Sequence, residues 1–94
     1  MTELTDIKKA CEASGNAREA IGALSAIIGK TADEARREQA LIERGMLYWR
    51  LEERAKAIND YNSALAINPD SKAGQLKRQA YEILEFYNHD LYNP

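Results

Sequence analysis

The side chains able to do chemistry are few and widely scattered. Cys11 is the only cysteine and His89 the only histidine. Metal sites normally gather several His, Cys or carboxylate ligands, and His89 has only Asp90 beside it, in a stretch that reads as a surface tail. Cys11 falls on the same helical face as Leu4 and Ile7, so it reads as a small buried hydrophobe and not as a nucleophile. Glu34, Glu38, Glu52 and Glu53 lie on charged helix faces, where solvation and i, i+4 ion pairs are the ordinary explanation. Arg36 and Arg37 form a two-residue basic cluster with acids on both sides. The glycines number five, spread along the chain, and none builds a phosphate-binding loop. The sequence therefore offers no catalytic, cofactor-binding or metal-ligating constellation, and the chain is not expected to be an enzyme.

The elements that carry these residues follow from length and composition. Ninety-four residues make one domain, 1–94, with no room for a second core. A chain of this size buries only roughly 60–65% of its surface, so some apolar surface stays exposed unless a partner covers it. Thirteen basic and 15 acidic residues give a net charge of −2, with no strongly basic segment, which excludes the electrostatic footprint of a nucleic-acid binder. No apolar stretch has the length of a signal peptide or a membrane span. With one cysteine there is no internal disulfide, and the cytoplasm is the expected address. Ala, Glu, Leu, Arg and Lys are abundant and Val is absent, which favours helix over sheet.

Apolar spacing predicts five helices. The first spans 2–14, with Leu4, Ile7 and Cys11 on one face, and Gly15–Asn16 ends it. The second carries Ala20, Ile21, Leu24, Ile27 and Ile28, the stripe of an amphipathic helix, and closes at Gly29–Lys30. Thr31 stands three residues before Glu34, the spacing of a capping box, so a third helix is expected to start at Ala32 or Asp33 and to reach about Leu51. The turn at Glu52–Glu53 has neither Gly nor Pro. The fourth helix runs to Ile67, with Ala57, Ile58, Tyr61, Ala64 and Leu65 on one side, and Asn68–Pro69 breaks the chain. The fifth is expected over 71–87, striped by Leu76, Ala80, Ile83, Leu84 and Tyr87, followed by an irregular tail at 88–94.

Residues 41–69 place Leu41, Arg44, Gly45 and Tyr48 and then Ala57, Tyr61, Ala64 and Pro69 at fixed intervals. This resembles the tetratricopeptide repeat (TPR), and the stretch AINDYNSALAINP at 57–69 carries the likeness furthest. The resemblance implies an all-α fold in which antiparallel helix pairs stack as a short solenoid. Gly45 and Ala57 are then small where the helices of a pair come closest, and Tyr48 and Tyr61 fill the space between pairs. The same template fits 2–30 less well, at a 37-residue offset from Leu4 to Leu41 instead of the usual 34. Pairs at 2–29 and 32–67 with a capping helix at 71–87 make a two-repeat domain, and the closing run from Glu82 looks like the ends of some small bacterial TPR proteins. Arg44 departs from the pattern, because its position is usually a buried Leu. An unpaired buried guanidinium costs several kcal/mol, so Arg44 must meet an acid or reach solvent.

In TPR proteins the first helix of each pair lines a concave face that commonly binds peptides. By register that face takes Thr5, Lys9 and Glu12, then Ile42, Met46, Trp49 and Arg50, then Leu76, Lys77, Ala80 and Ile83. Ile42, Met46 and Trp49 make a second apolar stripe beside Leu41, Gly45 and Tyr48, more than one neighbouring helix can bury. Lys9, Ile42, Met46, Trp49, Arg50, Leu76 and Lys77 are accordingly the expected partner-binding residues, with Met adaptable and Trp suited to a hot spot. Two other outcomes stay open: the cap and tail pack over the stripe, or a second copy does, giving a homodimer. Carried over by register, the positions with which many TPR chaperone adaptors grip a chain-end carboxylate are Thr5, Lys9, Glu43, Ala73 and Lys77. Glu43 would repel such a group, so that mode is not expected. The resemblance implies a protein–protein interaction module for an unknown protein or peptide, with no nucleic acid, membrane or cofactor.

Overall fold

The computed structural model describes the backbone of residues 16–92 and the side chains of residues 16–84. Four helices and no strand stand among the described residues: α1 (Ala17–Lys30), α2 (Glu34–Arg50), α3 (Arg54–Ile67) and α4 (Ala73–Tyr92). Five helices were expected; the one over 2–14, with Lys9 and Cys11, lies outside the described residues.

Local chemistry sets the ends. Asn16 caps α1, its Oδ1 accepting the Glu19 N–H at 2.9 Å, which satisfies one of the donors a helix start leaves unpaired. At the other end Arg37 reaches back from α2 and donates to the carbonyls of Ile28 and Thr31, a cation on the negative end of the α1 dipole. The expected capping box at Thr31 is corrected by the structure. Asp33 is the cap of α2, with Oδ1 3.0 Å from the Ala35 N–H and 3.4 Å from that of Arg36. A carboxylate accepts from backbone N–H more strongly than a hydroxyl, and Thr31 Oγ1 is left to accept the Asp33 N–H at 3.1 Å.

The turn without Gly or Pro is made by Glu52, which takes φ = 65°, in the left-handed region. The Glu52 and Glu53 N–H groups donate to the carbonyls of Trp49 and Tyr48 at 3.0 and 2.9 Å, offsetting a backbone cost of about 1 kcal/mol. Glu53 spends its side chain on Arg18 of α1 at 2.7 Å and on Lys56 at 3.1 Å. The Lys56 hydrogen bond, with the Arg18 charge, holds its carboxyl below the usual range. After α3, Asn68 is extended before Pro69, and buried Ser71 accepts the Ala73 N–H at 3.1 Å to seed α4. α4 then continues through Tyr92, so the helix does not stop at 87 and the tail expected at 88–94 is helical as far as residue 92. No Gly or Pro falls between Gly74 and Pro94, and Asn88 and Asp90 are weak helix formers, not breakers.

α2 is the central helix. Its Ala40 and Leu47 pack with Ala20, Ile21 and Leu24 of α1. Its Leu41 and Ile42 pack with Ala57, Tyr61 and Ala64 of α3 and with Ala73 of α4. Tyr48 touches both clusters. α2 and α3 pack tightly at Gly45, where a Cβ would stand 2.7 Å from Tyr61 Cε1 and 3.3 Å from the Ala57 carbonyl oxygen. Only a residue without a side chain fits without displacing the Tyr61 ring.

Beside Gly45 lies the polar centre of the domain. Arg44 donates from Nε to Asp60 Oδ2 at 2.8 Å and from Nη2 to Asp60 Oδ1 at 2.7 Å, a bidentate fork. Nη1 donates to Ser25 Oγ at 3.0 Å, so one guanidinium ties α1, α2 and α3. The Asp60 hydrogen bond raises the Arg44 pKa, and Arg44 and Lys56 both lie over the Tyr48 ring, at 5.6 and 5.5 Å. The two fates open to Arg44 thus resolve to pairing. Asp60→Ala should cost about 2–4 kcal/mol in urea unfolding, since it strands a mostly buried cation. Arg44→Leu combined with Asp60→Ala should recover most of that loss, and equal losses in the single and double variants would refute the pairing role.

Candidate functional site

Where α2, α3 and α4 meet, the packing leaves a hollow of about 320 Å³ lined by Met46, Trp49 and Arg50 of α2, Tyr61 of α3 and Leu76 of α4. A smaller one of about 80 Å³ continues along α4, lined by Trp49, Tyr61, Leu76, Gln79, Ala80 and Ile83. The shared residues Trp49, Tyr61 and Leu76 make them one groove. Successive turns of α2 set Met46, Trp49 and Arg50 on its outer edge, and Leu76, Ala80 and Ile83 do the same on α4. Tyr61, only 3% exposed, forms the floor because Gly45 lets its ring lie down on α2.

Four of the seven expected residues, Met46, Trp49, Arg50 and Leu76, line the hollow. Ile42 does not: it is 1% exposed and belongs to the core beneath. Lys77 sits on another edge of α4, its ammonium 5.9 Å from the Tyr81 ring centroid, and lines neither hollow. Lys9 lies outside the described residues. Sequence reasoning missed Tyr61 as floor and Gln79 as wall. The template marks Tyr61 as an apolar packing residue, and nothing in its spacing shows that the buried ring borders a hollow.

α4 covers the stripe only in part. Ile42 is buried, Trp49 and Leu76 are half-buried, and Met46 is 36% and Ile83 41% exposed. The Arg54 guanidinium lies 5.0 Å from the Trp49 ring centroid, a cation–π contact that fixes one side of the indole. Glu43, one turn back on α2, accepts a hydrogen bond from Gln39 at 3.0 Å and does not line the groove. A separate hollow of about 310 Å³ lies at the α1–α2 junction between Ala26, Ile27, Lys30, Thr31 and Arg36. Among the described residues no three His, Cys, Asp or Glu side chains are grouped to hold a metal, and none of the described helices is long and apolar enough to cross a membrane. The described lining of the groove is mostly apolar and aromatic.

Burial, and then the neighbouring Asp60 charge, push the Tyr61 phenol above its ordinary range. The fold favours the neutral ring, so its contribution is complete below the pKa of a free tyrosine, about 10, and is lost as pH rises toward the folded value. Urea unfolding from pH 8 to 11 should show the wild type losing stability faster than Tyr61→Phe. Parallel curves would mean that the phenol is as solvated as a free one.

Residues 38–71, from the second turn of α2 to the Ser71 that seeds α4, match the sequence profile of the tetratricopeptide repeat. No curated protein and no solved structure gives a significant match to the chain. The match falls on α2 and α3, the pair whose Gly45–Ala57–Tyr61 crossing has the geometry described above, and it is this pair that is similar to a tetratricopeptide repeat.

Proposed function

We propose that this domain is a protein-interaction module that docks a peptide or helix of another protein in the groove between α2 and α4. One observation carries the reading: Met46, Trp49 and Leu76 remain partly exposed around a hollow of about 320 Å³ after the chain's own α4 has packed down. A space of that size takes one large apolar side chain, and aromatic, Met and Arg walls are the composition of interface centres. The repeat supports the same reading, since TPR domains typically bind protein partners. In this reading 2–29 forms a second, divergent repeat at one end of the stack, and α4 caps the last pair at its other end, as solenoid ends require.

Self-association is the competing use of the surface, and exposed Tyr81 and Ile83 on α4 favour it over an empty groove. Light scattering across a concentration series separates the two, since docking of a foreign segment leaves the free domain monomeric.

A display selection of random 12-residue peptides on the wild-type domain should yield binders that compete with one another. Met46→Glu replaces an apolar wall of the hollow with a hydrated charge that an apolar anchor would have to desolvate, and it should weaken them about tenfold or more, with unchanged helicity. Binders that ignore Met46→Glu would place the docking surface elsewhere.

A further inference from the structure

The lining of the groove is apolar with a single exception. Of its eight described residues, Met46, Tyr61, Trp49, Leu76, Ala80 and Ile83 are apolar or aromatic, Gln79 is neutral, and Arg50 alone is charged. Arg50 is exposed at the wall of the larger hollow, at the last turn of α2. A second guanidinium, that of Arg54, lies over the indole that separates the two hollows. None of the eight described lining residues is a carboxylate. Glu43 of α2 accepts a hydrogen bond from Gln39 and lines neither hollow. The charge that the described lining presents at the mouth is therefore that of Arg50, although the chain as a whole carries a charge of −2.

From this we infer that the groove reads a partner segment in which a large apolar side chain fills the hollow and an internal Asp or Glu side chain near it meets Arg50. The inference rests on the docking function proposed above and adds the chemistry of the partner. The acid belongs to a side chain within the segment and not to a chain end, because holding a terminal carboxylate takes several converging donors and the groove offers one exposed guanidinium. The apolar anchor supplies affinity by burial, while the carboxylate fixes register and direction along α2.

Fluorescein-labelled 12-residue peptides test this, built on an Ala/Gln host with amidated ends and one central Leu. A single Asp is moved from one to four positions to either side of the Leu, and each peptide is paired with its Asn and Lys counterparts. Fluorescence anisotropy at low salt should show the best Asp peptide binding about fivefold tighter than its Asn counterpart, as an exposed ion pair allows. The preference should vanish in Arg50→Gln and shrink at 0.5 M salt. Arg50 is a surface residue, so circular dichroism should show the variant folded. Equal binding of the Asp and Asn peptides, preference for Lys, or a preference that survives Arg50→Gln would overturn the inference while leaving the docking function intact. Preference for a free over an amidated end would overturn it in favour of a chain-end ligand. If no peptide binds the wild type, and peptides from the display selection ignore Met46→Glu, the docking function fails along with it.

Discussion

The closeness of α2 and α3 at Gly45 is the constraint from which the remaining geometry follows. A Cβ there would stand 2.7 Å from the Tyr61 ring, so the absence of a side chain sets how far the ring sinks onto α2. The adjacent pair, Arg44 with Asp60, pins the same crossing from its other side through two hydrogen bonds of 2.8 and 2.7 Å. Packing alone is non-directional and would tolerate sliding of one helix along the other. A bidentate fork has one register, and the third bond to Ser25 extends that register to α1. The floor of the groove is thus fixed by the contact that fixes the pair.

α2 carries more apolar surface than a single neighbour can bury, and the structure distributes it. Ala40 and Leu47 go to α1, Leu41 and Ile42 go to α3 and α4, and Met46 and Trp49 are left at the margin. α4 approaches that margin through Ala73, Leu76 and Ala80, with two small residues among the three, and it does not close over Trp49. The groove is what remains when a helix apolar on two faces shares its surface among α1, α3 and α4.

Much of this was legible from residue spacing. The stripes of α1 and α3, the break at Asn68–Pro69, the small residues Gly45 and Ala57, and the gathering of Met46, Trp49, Arg50 and Leu76 all follow from helical periodicity and the repeat template. What escaped had other physical causes. Asp60 lies on the buried face of α3 because Arg44, sixteen residues earlier, neutralises it, and periodicity is blind to such pairing. Glu52 forms its turn by adopting a left-handed backbone without the usual glycine, supported by two backbone hydrogen bonds. Asp33 displaced Thr31 as the cap through acceptor strength, a competition decided over two residues. Ile42 and Met46 share one stripe in sequence, yet one is core and the other rim, because burial depends on where α4 crosses and not on spacing along α2.

Trp49 is the only tryptophan, and it stands at the centre of the groove. Its emission maximum and its quenching by acrylamide, followed over a dilution series of the free domain, report whether the groove is open. An open groove gives emission between that of a buried and a free indole, efficient quenching, and no change on dilution. Blue, quencher-resistant emission at every concentration would contradict it by showing that the domain covers its own indole. Blue emission that reddens on dilution would contradict it in favour of a second copy seated there.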